Sequence, residues 1–71
     1  MKNNIKELRK CRKLRQEDLA EILGVTRQTV IAIENNKYDP TLELAMKISE
    51  YFNISVNEIF HLNRIHKQEL T

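Results

Sequence analysis

Residues 14–34 read Leu-Arg-Gln-Glu-Asp-Leu-Ala-Glu-Ile-Leu-Gly-Val-Thr-Arg-Gln-Thr-Val-Ile-Ala-Ile-Glu. Leu19, Ala20, Ile22 and Leu23 recur at helical spacing. Gly24 ends that stretch, because glycine takes the left-handed conformation at a helix C-terminus without steric cost. Only Val25 separates Gly24 from Thr26, whose hydroxyl can cap a new helix. That helix runs from about Arg27 to Glu34, with Val30 and Ile33 as its buried stripe. Two helices joined by so short a turn predict a helix-turn-helix. Ala20 is small enough to let one helix pass close over the other, with Val25 and Val30 packed between them.

Working outward, Ile5 and Leu8 mark a short first helix ending near Lys13. After the third helix, Asn35-Asn36-Lys37-Tyr38-Asp39-Pro40 is the one strong loop signal, with Asn36 placed for a positive backbone angle. Thr41 caps a fourth helix with Leu42, Ala45, Ile48 and Phe52 inward, and Asn53 ends it. Ser55-Val56-Asn57-Glu58 has the form of a capping box and opens a short fifth helix through Phe60. Residues 1–60 thus read as one all-α, five-helix domain. Residues 61–71 are a polar tail with scattered Leu62, Ile65 and Leu70; fraying, packing on a partner and a short strand all remain open for it.

Composition agrees. The chain has 71 residues, one Gly and one Pro, which leaves little room for the turns an all-β domain needs. At this size a core rarely supplies more than about 3–5 kcal/mol, so oligomerisation is expected. No apolar run approaches a membrane span, and no apolar segment follows Met1-Lys2-Asn3-Asn4-Ile5 to make a secretion signal. The single cysteine, Cys11, excludes an internal disulfide and a Cys-rich zinc site. A reduced, cytoplasmic setting fits.

Enzyme signals are missing. One glycine cannot build a phosphate loop. His61 and His66 are five apart, the wrong spacing for one helix face, and read as surface residues, not metal ligands. Cys11 reads as a bystander thiol. No cofactor, metal or small-molecule ligand is expected. Charge is uneven: residues 1–15 carry seven Lys/Arg against Glu7, and residues 16–60 carry three against eight Asp/Glu. This suggests one positive face; the alternative is a solvated helix whose basic stems cover the core edge.

The specific chemical signal is Thr26-Arg27-Gln28-Thr29, a polar first turn on the third helix. In a helix laid end-on into the major groove, that turn meets the base edges. Arg suits guanine O6/N7, Gln suits adenine N6/N7, and Thr can touch the thymine methyl.

Here the segment resembles the helix-turn-helix of the phage-repressor and Cro class, the Xre family. The likeness continues through Glu34-Asn35-Asn36-Lys37-Tyr38-Asp39-Pro40-Thr41-Leu42, similar to the family's Glu-Asn-Gly-Lys-x-x-Pro-Ser-Leu loop, and Ile54-Ser55-Val56-Asn57-Glu58-Ile59-Phe60, similar to its closing helix. It covers about residues 4–60. The resemblance implies a DNA-binding regulator, a repressor above all, acting as a homodimer on a near-palindromic double-stranded operator. It implies base contacts from Arg27, Gln28 and Thr29, and a phosphate or outer contact from Gln16. Backbone contacts fall to Asn35, Lys37 and Tyr38, and a structural ion pair to Arg9 and Glu34. Ala32 stands where some relatives place a longer base-reading side chain.

Three departures stand out. Arg15 occupies the position where the family caps the second helix with Ser or Thr; it either meets a DNA phosphate or is an exposed surface residue. Lys13 replaces a common Gly, and since Lys takes the left-handed region less readily, a different end to the first helix is expected. Ile31 points away from the core, either to contact DNA or as a tolerated surface residue. Leu44, Tyr51, Phe60 and Leu62 form a second apolar set that exceeds one small core, so a dimer interface through the C-terminal half is expected. The competing function is a protein-interaction module, an antitoxin or a subunit of a larger regulator.

Overall fold

The computed structural model describes residues 1–61. Its elements are β1 (Lys2–Asn3), α1 (Ile5–Cys11), α2 (Gln16–Leu23), α3 (Arg27–Glu34), α4 (Leu42–Phe52), α5 (Val56–Ile59) and β2 (Phe60–His61). α2 packs chiefly on α3, α4 crosses α2, and α5 folds back on α4. No helix among the described residues is long and apolar enough to cross a membrane. Leu62, Ile65, His66 and Leu70 lie outside the described residues.

Among the described residues, four of the five helices end in the same way. Lys13, Gly24, Asn36 and Asn53 each have φ between 57° and 74°. In each case the next backbone N–H reaches back five residues: Leu14 to the Arg9 carbonyl, Val25 to Ala20, Lys37 to Ala32, Ile54 to Ser49. These reach-back bonds satisfy carbonyls that the helix leaves without partners. Asn tolerates this conformation; Lys does not do so readily, and a left-handed L-residue costs about 1–2 kcal/mol. The different end expected for α1 is not found: Lys13 turns left-handed at φ 58°, because that geometry satisfies the Arg9 and Lys10 carbonyls together.

Helix starts follow their cap residues at two sites. Thr26 Oγ1 accepts from Thr29 N and Thr41 Oγ1 from Leu44 N, both at 3.2 Å. The box expected at Ser55 does not form. The Ser55 hydroxyl donates to Glu58 Oε1 at 3.2 Å, a charge-assisted bond, so the two side chains serve each other rather than the backbone.

The core is Ile5, Leu19, Ala20, Leu23, Val30, Ile33, Leu44, Ala45, Ile48, Phe52, Ile59 and Phe60, with Leu8, Tyr51 and Val56 among the residues packed against it. Two inward assignments are corrected. Leu42 is 74% exposed and Leu44 takes the inward place at 7%. At 100° per residue Leu42 lies about 120° from Ile48 around α4, whereas Leu44 lies about 40° away. Ile22 sits at the edge of the α2 stripe and is 45% exposed. The expected apolar surplus also shrinks: Leu44 and Phe60 are core residues and Tyr51 is half-buried against them.

Residues 2–3 and 60–61 carry a feature that periodicity did not show. β1 pairs antiparallel with β2, Lys2 opposite His61 and Asn3 opposite Phe60. His61, placed above in the tail, belongs to this sheet.

Candidate nucleic-acid interface

α3 presents its first turn because the chain leaves α2 through one corner. Gly24 at φ 74° and the Val25 N–H on the Ala20 carbonyl at 3.0 Å close α2, and Thr26 opens α3 two residues later. Arg27 and Gln28 are exposed, and Thr29 is half-buried. The Thr29 hydroxyl shares a 3.0 Å hydrogen bond with that of Thr26. Among the described residues Arg27 forms no ion pair. The polar tip therefore combines an uncommitted guanidinium with a primary amide, two groups able to make paired hydrogen bonds with base edges.

Behind the tip, α1 and α3 are joined by a buried ion pair. Arg9 Nε donates to Glu34 Oε2 at 2.7 Å, and Nη2 to Oε1 at 3.2 Å. Arg9 Nη1 donates to the Leu14 carbonyl at 2.8 Å. Gln16 Nε2 adds a bond to Glu34 Oε1 at 3.2 Å. The side chains of Arg9 and Glu34 are 9% and 2% exposed, yet every polar position named here has a partner, which a buried charge requires. Gln16 faces inward in this state.

Arg15 is the residue before α2 and its side chain is 75% exposed. Its backbone N–H donates to Asp18 Oδ2 at 2.8 Å, and its guanidinium lies 3.3 Å from Asp18 and from Glu17. Half of a capping box is thus made: Asp18 accepts from the Arg15 backbone N–H, but a guanidinium has no acceptor with which to return the bond that a Ser or Thr hydroxyl would take from the Asp18 N–H. The Arg15 backbone hydrogen bond, and then its side chain, hold the Asp18 carboxyl below the usual carboxylate range. Reciprocally, Asp18 and Glu17 keep the Arg15 guanidinium firmly protonated.

Arg9, Arg15, Gln16, Glu17 and Arg27 line one shallow depression between the starts of α2 and α3. Three guanidinium-bearing residues from three parts of the chain therefore edge the same hollow. Tyr38 shares a second depression with Thr29, Val25 and Thr41, so the loop after α3 folds back beside the tip. Asn35 and Lys37 are exposed at the opposite end of α3, apart from Arg27. Ala32 and Ile31 are half-buried.

The basic first fifteen residues are less free than their count suggests. Besides Arg9, Arg12 is spent internally. Its Nη1 and Nη2 donate to the Tyr51 and Phe52 carbonyls, both at 3.2 Å, and its guanidinium lies 5.0 and 5.1 Å from their ring centroids. A cation at the C-terminus of α4 also meets the negative end of the helix dipole. Sequence reasoning missed this role; a basic residue just past a helix end does not announce which distant helix it will cap. Exposed Lys2, Lys6, Lys10 and Lys13 remain as solvent-facing cations of this region, beside Arg15, which is exposed but paired with Glu17 and Asp18.

The comparisons with known proteins agree with this geometry. A helix-turn-helix family profile matches residues 5–59. An uncharacterized HTH-type transcriptional regulator of Methanocaldococcus jannaschii is 55% identical over 60 residues, covering 84% of this chain and 91% of that protein. YgzD of Bacillus subtilis, also named an HTH-type transcriptional regulator, is 50% identical over 62 residues, covering 87% and 94%. A third such regulator, from Archaeoglobus fulgidus, is 43% identical over 60 residues, with 84% of each chain covered. With the α2–α3 corner, the exposed first turn of α3 and these matches in hand, the chain belongs to the Cro/C1-type helix-turn-helix family of transcriptional regulators.

Proposed function

We propose that the protein is a cytoplasmic repressor that binds, as a symmetric homodimer, a near-palindromic site in double-stranded DNA and blocks a promoter by occupying it. The observation that carries this reading is the exposed Arg27–Gln28 pair at the start of α3. Arg27, Gln28 and Thr29 read base edges in the major groove. Asn35, Lys37 and Tyr38 contact the backbone beyond α3. Arg15 meets a phosphate after exchanging its bonds to Glu17 and Asp18. Gln16 joins it after turning from Glu34, whose pairing with Arg9 stays intact.

Two recognition helices must reach grooves about 34 Å apart, one on each half-site, and a two-fold axis is the usual way to do this. Leu44 and Phe60 are committed to the core, and we assign the contact between copies to α4, through half-buried Tyr51 and the apolar residues that this helix exposes, Leu42 and Met46. Selection of bound sequences from random duplex DNA tests the whole reading. Enrichment of two inverted half-sites about one helical turn apart is expected. A population with no enriched sequence overturns it.

A further inference from the structure

The segment Met1–Asn4 holds the chain in two directions. Asn3 Oδ1 accepts from the Ile5 backbone N–H at 3.0 Å, which fixes the start of α1. On its other side, Asn3 Nδ2 donates to the Ile33 carbonyl at 2.8 Å and approaches Asn36 Oδ1 at 3.4 Å. The Met1 amine lies 2.9 Å from Asp39 Oδ1, further along the α3–α4 loop. The opposite flank is tied down as well. Asn4 N and Nδ2 donate to the Ile59 and Glu58 carbonyls, both at 3.0 Å, and Asn3 pairs with Phe60. One short segment therefore fastens the loop after α3 to α5 and β2.

The loop it fastens carries Asn35, Lys37 and Tyr38. It turns on Asn36 at φ 62° and closes through Lys37 N on the Ala32 carbonyl at 2.8 Å. The Ile33 carbonyl already accepts from Asn36 N at 3.0 Å, and a carbonyl has two lone pairs. Asn3 fills the second. It is thus bonded to the one carbonyl from which the turn departs.

We propose that Asn3 is a positioning residue for DNA binding: its carboxamide sets where the α3–α4 loop stands relative to the tip of α3. Asn35 and Lys37 then meet the duplex backbone while Arg27 and Gln28 meet the bases. The inference rests on the regulator reading above. A merely structural Asn3 would add stability without altering how many phosphates the loop reaches.

Asn3→Ser separates the two roles. Ser keeps an oxygen able to cap the Ile5 N–H and adds no charge, but it is too short to reach the Ile33 carbonyl. Asn3→Ala serves as the second variant. In the free protein, exchange of the Asn36 and Lys37 amides is expected to quicken about tenfold while the Ile48 amide is unchanged. Affinity for a random-sequence duplex of about three helical turns is expected to fall about tenfold, with a salt slope shallower by about one phosphate contact. Unchanged exchange at Asn36 and Lys37 overturns the proposal. So does faster exchange with unaltered affinity and slope, or exchange that quickens equally at Ile48. A wild-type chain that binds no duplex overturns the regulator reading and the positioning role with it, whereas wild-type binding matched by Asn3→Ser overturns the positioning role alone.

Discussion

Arg9 and Glu34 stand side by side with two nitrogens against two oxygens, at 2.7 and 3.2 Å, and join the first helix to the last turn of the third. Removing one partner leaves a buried charge alone, at a cost of about 3–5 kcal/mol. That is comparable to all that a core of this size supplies. Arg9→Ala is therefore expected to be largely unfolded at room temperature by circular dichroism and urea titration. The double variant Arg9→Met with Glu34→Leu is expected to recover much of the loss. A single variant as stable as Lys10→Ala would show that the pair carries no such weight.

Lys13 turns left-handed, and among the described residues its exposed side chain forms no ion pair. Lys13→Gly is expected to raise stability by about 1 kcal/mol, or about 4–8 °C in Tm for a domain of this size. Lys13→Ala keeps the Cβ and is expected to change Tm little. Equal melting temperatures for the Gly and Ala variants would rule out backbone relief as the cause.

The Asp18 carboxyl is held below its usual range, first by the Arg15 backbone N–H and then by the Arg15 side chain. A depressed folded-state value means that the unfolded chain takes up this proton first. The stabilisation is therefore present above the ordinary carboxylate range, near about pH 4, and is lost as the pH falls toward the folded-state value. Asp18→Asn should melt below wild type at neutral pH and converge with it in acid. Parallel melting curves across that range would contradict the linkage.

Arg27 and Lys37 are exposed at opposite ends of α3, and the proposed function gives them different effects. Arg27→Ala should relax preference at one base position per half-site, losing about 1–3 kcal/mol on the selected sequence and little on random DNA. Lys37→Ala should weaken both alike and reduce the salt slope by about one. Titrations of both duplexes at two salt concentrations distinguish them. Equal losses on both DNAs for Arg27→Ala would remove it from base reading.

Leu42 and Met46 are 74% and 54% exposed on α4. Replacing both with Glu should leave the Tm of the single domain nearly unchanged and convert the proposed dimer to monomer by light scattering. A wild-type chain that is monomeric throughout the micromolar range would exclude the proposed pairing.

How far these features could be read in advance depended on how local their causes are. The α2–α3 corner was legible because Gly24 and Thr26 act on their own backbone. The same holds for the turns at Asn36 and Asn53 and the cap at Thr41. The tip of α3 was legible because the polar run Arg27–Thr29 follows its cap directly. α4 was harder: Leu42 follows its Thr41 cap directly and Leu44 stands two places on, and only their phase relative to Ile48, about 120° against about 40°, tells the outward one from the inward one. A two-residue strand such as β1 has no period to detect. The partners of Arg12 and Asn3 lie thirty or more positions away, and only the folded chain brings them together. At the candidate interface, residue types pointed to the tip, but not to the Arg15–Glu17 ion pair or the inward turn of Gln16.

The single residue between Gly24 and Thr26 gives the α2–α3 corner no slack. α2 and α3 behave as one bracket, so whatever grips the first arm also aims the second. Fastening Arg15 and Gln16 at the start of α2 would settle the pitch and roll of Arg27 and Gln28 before either has touched a base.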